Sequence, residues 1–137
     1  MDQPIGNGPN GSSWATGIQA ITLFVEDLGT AKQFYQEVFG LPVVFEDDDS
    51  TVFKIGAILI NLLLTKAAGD LIAPAPIARA EAGSRAVFTI PVDDVDALCL
   101  ELVAHGATLL NGPMDRPWGV RTASFRDPGG HIWEIAK

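Results

Sequence analysis

Chemistry on this chain has few places to reside, and the clearest lies near the C-terminal end. Glu134 stands among Ile132, Trp133 and Ile135, after the turn Asp127-Pro128-Gly129-Gly130. A carboxylate among apolar side chains can line a cavity and act as a general base there. As a residue of a terminal strand it can equally face solvent, and the local sequence leaves both readings open. Asn61 is the one polar residue in the apolar run Ala57–Leu64. Trp118, between Pro117 and Gly119, either stacks on a planar ligand or covers the edge of the core. Arg121 either pairs with an anion or with Glu134, or joins Arg116 in surface ion pairs. Phe45 and Phe53 wall a ligand site or pack in the core. The run Glu46-Asp47-Asp48-Asp49-Ser50 lacks the interleaved spacing and the glycine of a calcium loop, so it reads as a solvated turn.

Composition excludes several classes of partner. Hydrophobic residues make up 47% and charged residues 19%, which describes a globular chain with a core. A net charge of −8, with no Lys/Arg cluster, argues against phosphate backbones and anionic membranes. No apolar run is long enough to span a bilayer. The N-terminus shows no basic region followed by an apolar one, and Cys99 has no second cysteine to pair with. Together these favour a cytoplasmic protein. Cys99 lies in a helical pattern and reads as a small buried apolar residue.

The elements that must position these side chains follow from periodicity. Residues 1–17, rich in Gly, Asn, Ser and Pro, form a flexible tail with Trp14 as its only possible anchor. Residues 20–25 read as a strand. Asp27 caps a helix over 28–39, whose apolar positions are Leu28, Ala31, Phe34, Tyr35, Val38 and Phe39, and Gly40 stops it. Strands follow at 41–45, 51–55 and 57–64. A connector, 66–83, holds Ala73-Pro74-Ala75-Pro76 and one or two possible helical turns at 77–82. The order then repeats: a strand at 87–92, Asp94 as cap, a helix over 95–105, Gly106 as stop, and strands at 108–110, 120–126 and 131–135. Pro91 marks an edge position or an irregularity. His105, at the second helix's end, suits capping of free carbonyls.

The reading is an α+β fold of two βαβββ modules, about 18–65 and 84–137, within one domain over 18–137. Their strands form a curved mixed sheet with helices on the convex side and a cleft on the concave side, the default ligand site.

The phrases Ile21-Thr22-Leu23-Phe24-Val25-Glu26-Asp27-Leu28, Phe34-Tyr35 and Phe39-Gly40-Leu41 resemble the opening of a glyoxalase / bleomycin-resistance / extradiol-dioxygenase module, of the vicinal oxygen chelate superfamily. Phe125 to Glu134 resembles the close of such a domain. The resemblance covers nearly all of the chain from Ile18 onward. It implies a divalent metal held by four residues, one on each of four cleft-lining strands. Carried over, those positions fall on Ala20, Asn61, Val87 and Glu134. Alanine and valine coordinate nothing, and asparagine substitutes poorly for an anionic ligand. His131 stands where the superfamily often carries a histidine without using it as a ligand. The expectation is therefore no metal and no cofactor, which disfavours a lactoylglutathione-lyase-type enzyme.

Alternate strand residues share a face. Ala20, Thr22 and Phe24 should therefore line the cleft with Leu59, Asn61 and Leu63, Val87 and Thr89, and Ile132 and Glu134. The loop 112–121, with Trp118 and Arg121, would be the lid. Two functions fit. One is a metal-free protein of the bleomycin-resistance kind that sequesters a small organic molecule, with cationic ligands favoured by the acidic surround. The other is a lyase, isomerase or hydrolase with Glu134 as general base. The resemblance also implies a homodimer.

Overall fold

A computed structural model describes residues 13–137; the expected tail, 1–17, lies mostly outside the described residues. Trp14 is described, with 76% of its surface exposed. The element order is β1 (Ala20–Val25), α1 (Leu28–Glu37), β2 (Phe45–Glu46), β3 (Ser50–Ile55), β4 (Ile58–Leu64), α2 (Thr65–Ile72), a 3-10 turn (Ala80–Ala82), β5 (Val87–Pro91), α3 (Val95–Ala104), β6 (Thr108–Asp115), β7 (Arg121–Arg126) and β8 (Ile132–Ala136).

The repeat is physical. Each module forms its own four-stranded mixed sheet, in the orders β1-β4-β3-β2 and β5-β8-β7-β6. The first strand of each runs parallel to the last, and the other pairs are antiparallel. The caps repeat as well. Asp27 accepts from the Thr30 N–H and Asp94 from the Ala97 N–H, each at 3.0 Å, satisfying one orphan donor per helix start. Gly40 and Gly106 follow the helices with φ of 71° and 107°, a region that favours glycine. Pro91 closes β5, an edge strand, where its missing N–H costs no ladder bond.

Three expected segments differ. The strand expected at 41–45 is reduced to Phe45–Glu46, paired with Val52 and Thr51. The first part of the connector is a helix, α2, packed on β4 and β1 through buried Ala68. β6 runs on to Asp115, past Gly112-Pro113, so the expected lid shrinks to the hairpin turn 116–120. Two register shifts in the β6–β7 pairing absorb that irregular stretch. Gly112 is obligatory there: its φ is 86°, and a Cβ would lie 2.4 Å from the Thr122 carbonyl oxygen.

The modules share one core, which runs from Leu23, Tyr35, Phe53 and Leu62 to Phe125, Trp133 and Ile135. Tyr35 of α1 contacts the Trp133 ring of β8 at 6.1 Å between centroids, and Phe39 contacts Trp133 at 5.2 Å and Phe125 at 5.7 Å. At this seam lies a buried polar network. Tyr35 Oη donates to Asp127 Oδ2 (2.5 Å) and accepts from Trp133 Nε1–H (2.9 Å). Asp127 Oδ1 also accepts from the His131 N–H (2.8 Å), and the His131 ring contacts the same carboxylate through Nδ1 (3.0 Å). Burial and the adjacent Asp127 charge push the Tyr35 hydroxyl far above its ordinary range. The turn Asp127–Gly130 thus also ties the second module to the first helix.

Candidate functional site

Register decides which side chains share a face. In the first sheet Thr22 lies opposite Asn61, and Asn61 opposite Val52, which in turn lies opposite Phe45. The face away from α1 therefore carries Thr22, Phe24, Phe45 and Asn61. Phe45 is 57% exposed on it. Phe53 belongs to the other face: it pairs with Ile60, is fully buried, and touches the Tyr35 ring. Phe53 is therefore a core residue and does not line the site.

In the second sheet Thr89 lies opposite Glu134, and Glu134 opposite Ser124. Thr89 Oγ1 donates to Glu134 Oε1 at 2.8 Å, orienting a half-buried carboxylate. The matching pair of the first sheet, Thr22 and Asn61, is made differently. Asn61 Oδ1 is buried without a hydrogen-bond partner among the described residues. The repeat thus places Asn61 and Glu134 in equivalent registers, one with an unsatisfied acceptor and one with a held anion.

Arg121 alternates to the helix side, where its guanidinium meets Asp96 of α3 (2.9 Å) and Asp115 (3.0 Å). These hydrogen bonds raise its pKa above the ordinary arginine value. It is not available to pair with Glu134 or with a ligand on Glu134's face, which corrects that expectation. Arg126, exposed on β7, shares Glu134's face by alternation, and the cation that hydrogen bonds fix on that face is Arg116. Its Nε–H donates to Thr122 Oγ1 (2.9 Å) and its Nη2–H to Asn111 Oδ1 (3.0 Å), and its Cζ lies 5.9 Å from the centre of the Trp118 ring. Sequence reading gave Arg116 only a surface ion pair; the two neutral acceptors that fix it are five and six residues away and carry no recognisable spacing. Trp118 is 70% exposed at the tip of the β6–β7 hairpin.

Thr22 and Phe24 also line a cavity of about 420 Å³ between β1 and residues 78–86, bordered by Glu26, Arg85 and His131. Asn61, Thr89 and Glu134 do not line it. The sheet faces that carry these three are open rather than closed into one cleft. His105 is a cap, with Nδ1 2.8 Å from the Glu101 carbonyl. In the acidic run Asp47 accepts from the Asp49 and Ser50 N–H groups, which hold its carboxyl below the usual range; Glu46 and Asp49 pair with Lys32 and Lys66. Cys99 is buried, which pushes its thiol up.

The family model described as the Glyoxalase/Bleomycin resistance protein/Dioxygenase superfamily matches residues 17–135. The chain belongs to this superfamily. It is 31% identical over 121 residues to the uncharacterized protein YraH of Bacillus subtilis (strain 168), covering 85% of this chain and 94% of YraH. Among solved structures it resembles a glyoxalase-related enzyme from Fulvimarina pelagi, with a TM-score of 0.77, 28% identity, and 88% and 87% of the two chains covered. It also resembles a lactoylglutathione lyase from Agrobacterium tumefaciens, with a TM-score of 0.70, 26% identity, and 88% and 92% covered.

The metal that such a superfamily implies can be tested against the donor set. The four positions lie on β1, β4, β5 and β8 as Ala20, Asn61, Val87 and Glu134. Only one is an anionic donor, and it is engaged by Thr89. Among the described residues no group of three or more His, Cys, Asp or Glu is placed to hold a metal ion. These residues do not suit a divalent metal centre.

Proposed function

We propose that this superfamily member binds a small organic molecule on the sheet faces that carry Asn61 and Glu134, without a metal ion, in a sequestering or resistance role. One observation carries the reading: Asn61 Oδ1 is buried and unpaired at the position where the second module places Glu134. A buried acceptor without a partner costs about 1–3 kcal/mol, which a ligand N–H or O–H recovers on binding. Apolar neighbours, Phe24, Leu59 and Leu63, frame it, as is usual for small-molecule sites. Open faces with Phe45 and Val87 more than half exposed support a homodimer in which a second copy covers them. A lone buried cysteine agrees with work in the cytoplasm.

A second reading is favoured by the Thr89–Glu134 bond, which holds the carboxylate ready to take a proton. In it the protein is a lyase, isomerase or hydrolase with Glu134 as general base. The relative from Agrobacterium tumefaciens bears the name of a lyase, but the donor set here argues against a metal-dependent version of that reaction.

The test has two stages. Metal content is measured after purification without chelator, with thermal shift against Zn²⁺, Ni²⁺, Mn²⁺ and Fe²⁺. Stoichiometric metal, or a stabilisation of several degrees by one ion, overturns the metal-free reading. A fragment screen then compares wild type with Asn61→Leu and Glu134→Gln. Binding lost in Asn61→Leu and kept in Glu134→Gln supports sequestration, whereas a turnover abolished by Glu134→Gln supports the base.

A further inference from the structure

The charge of the ligand is written on the second sheet. Among the described residues the cations Lys32, Lys66, Arg79 and Arg121 are each neutralised by a carboxylate. Arg116 is different, because both of its side-chain partners, Thr122 and Asn111, are uncharged oxygens. Lys54, Arg85, Arg126 and Lys137 also lack a carboxylate partner among the described residues, but they are exposed and no side-chain hydrogen bond fixes them. Arg116 is half-buried and fixed, yet keeps its charge uncompensated.

Its position is equally specific. Thr122, fully buried, and Asn111, register partner of Ser124, stand on the face that carries Glu134, because Ser124 lies opposite Glu134. The guanidinium is therefore held on Glu134's face, by Thr122 on the neighbouring strand, diagonal to Glu134, and by Asn111 one strand further out, and it makes no ion pair with Glu134. The two bonds use the Nε side of the guanidinium. They leave its Nη1–Nη2 edge, whose parallel N–H groups match an oxyanion bidentately. The guanidinium carbon lies over the Trp118 ring, 5.9 Å from its centre, and the ring, 70% exposed, is able to stack on a planar group.

We propose that Arg116 is the anion-recognising residue of the binding face, and that the ligand is a small planar molecule carrying an oxyanion, a carboxylate or a phosphate monoester. The oxyanion takes the Arg116 fork, the ring lies on Trp118, and the remainder reaches toward Glu134. The inference rests on the binding reading above and reverses the preference for cationic ligands that net charge alone suggests. A net charge of −8 acts on the whole surface, whereas recognition is decided by the charge at the site.

The experiment is NMR titration of the full chain with benzoate, phenyl phosphate and the neutral benzamide. It follows the Trp118 indole N–H, the Arg116 Nε–H and the Asn61 side-chain amide. The expected result is saturable shifts at Trp118 and Arg116, with at least one of the two anions binding about tenfold tighter than benzamide. Arg116→Gln should remove the preference, bringing the anions to the affinity of benzamide for the same variant. Arg116→Lys, which keeps the charge and loses the fork, should fall between. Tighter binding of benzoate assigns a carboxylate and tighter binding of phenyl phosphate a phosphate; either order supports the proposal. An anion preference that survives Arg116→Gln, or shifts centred on Arg85, overturns it. Probes that move Asn61 without any anion preference overturn it and leave the binding reading standing. No shift at any of these three groups with any probe overturns both.

Discussion

Tyr35→Phe tests whether the buried network at the seam holds the two modules together. The substitution keeps the ring and its contacts with Phe34, Phe39, Phe53 and Trp133, so packing changes little. It removes one hydroxyl, and with it the bond to Asp127 and the acceptor of the Trp133 N–H. A hydrogen bond to a charged group contributes about 1.5–3 kcal/mol, and an orphaned buried donor costs about 1–3 kcal/mol more. Asp127 keeps the His131 N–H and the contact with its ring, which limits the damage on that side. The expected loss is about 3–5 kcal/mol, a large part of the roughly 5–15 kcal/mol available to a domain. Urea unfolding followed by tryptophan fluorescence reads it directly, and Tm should fall by roughly 10–20 °C. Tyr35→Phe combined with Trp133→Phe removes the orphaned donor as well, so the double variant should lose less than the sum of the singles. A loss below about 1 kcal/mol for Tyr35→Phe would refute the reasoning, because it would mean that water already satisfies these groups.

The same hydroxyl gives a pH prediction. Its folded-state pKa lies above the ordinary 10.0, so its contribution is complete below about pH 10 and is lost as pH rises further. Stability should fall at up to about 1.4 kcal/mol per pH unit there beyond the fall seen in Tyr35→Phe, and urea midpoints of both proteins against pH check it. Gly112→Ala should cost at least about 2 kcal/mol, from strained φ and collision with Thr122 O, whereas Gly119→Ala, with φ of 97° but open space, should cost only about 1 kcal/mol in denaturant titrations. At the helix starts, Asp94→Ala should cost about 1 kcal/mol by thermal melting. The Asp27 carboxyl is held below its ordinary 3.8 by the Thr30 N–H, so its contribution is present above that pH and lost below it; Asp27→Ala should flatten the acid limb of a Tm–pH curve.

Much of the fold was legible because the repeat is written twice in caps, stops and apolar spacing. Asp27 and Asp94 mark both helix starts, and the parallel registers follow from the alternation of strands on either side of each helix. α2 was not legible: its N-cap residue, Leu64, makes no side-chain cap, Gly69 lies inside it, and one buried alanine gives no stripe. The face of Phe53 was left open between the site and the core, although Lys54, its exposed neighbour, carries the phase of β3. A charged residue claims the open face of a two-residue period, which sends Phe53 to the core. The contacts of Arg116 lay beyond sequence reasoning altogether, since they come from a hairpin that folds it back over Asn111 and Thr122.

The two halves of this chain share one strand order and differ in chemistry. A metal centre on such a fold draws donors from both modules, and each module here has an aliphatic residue on its opening strand, Ala20 and Val87. The remaining equivalent positions diverge. Asn61 offers a neutral acceptor in apolar surroundings, while Glu134 has Thr89 at one side and shares its face with Arg116, which Thr122 and Asn111 fix. On the proposed binding role, a ligand that meets both halves carries a hydrogen-bond donor for Asn61 at one end and an oxyanion for Arg116 at the other. That asymmetry is a property of side chains alone, so substitutions at Asn61 and Arg116 should change which molecules bind while the sheets that carry them stay as they are.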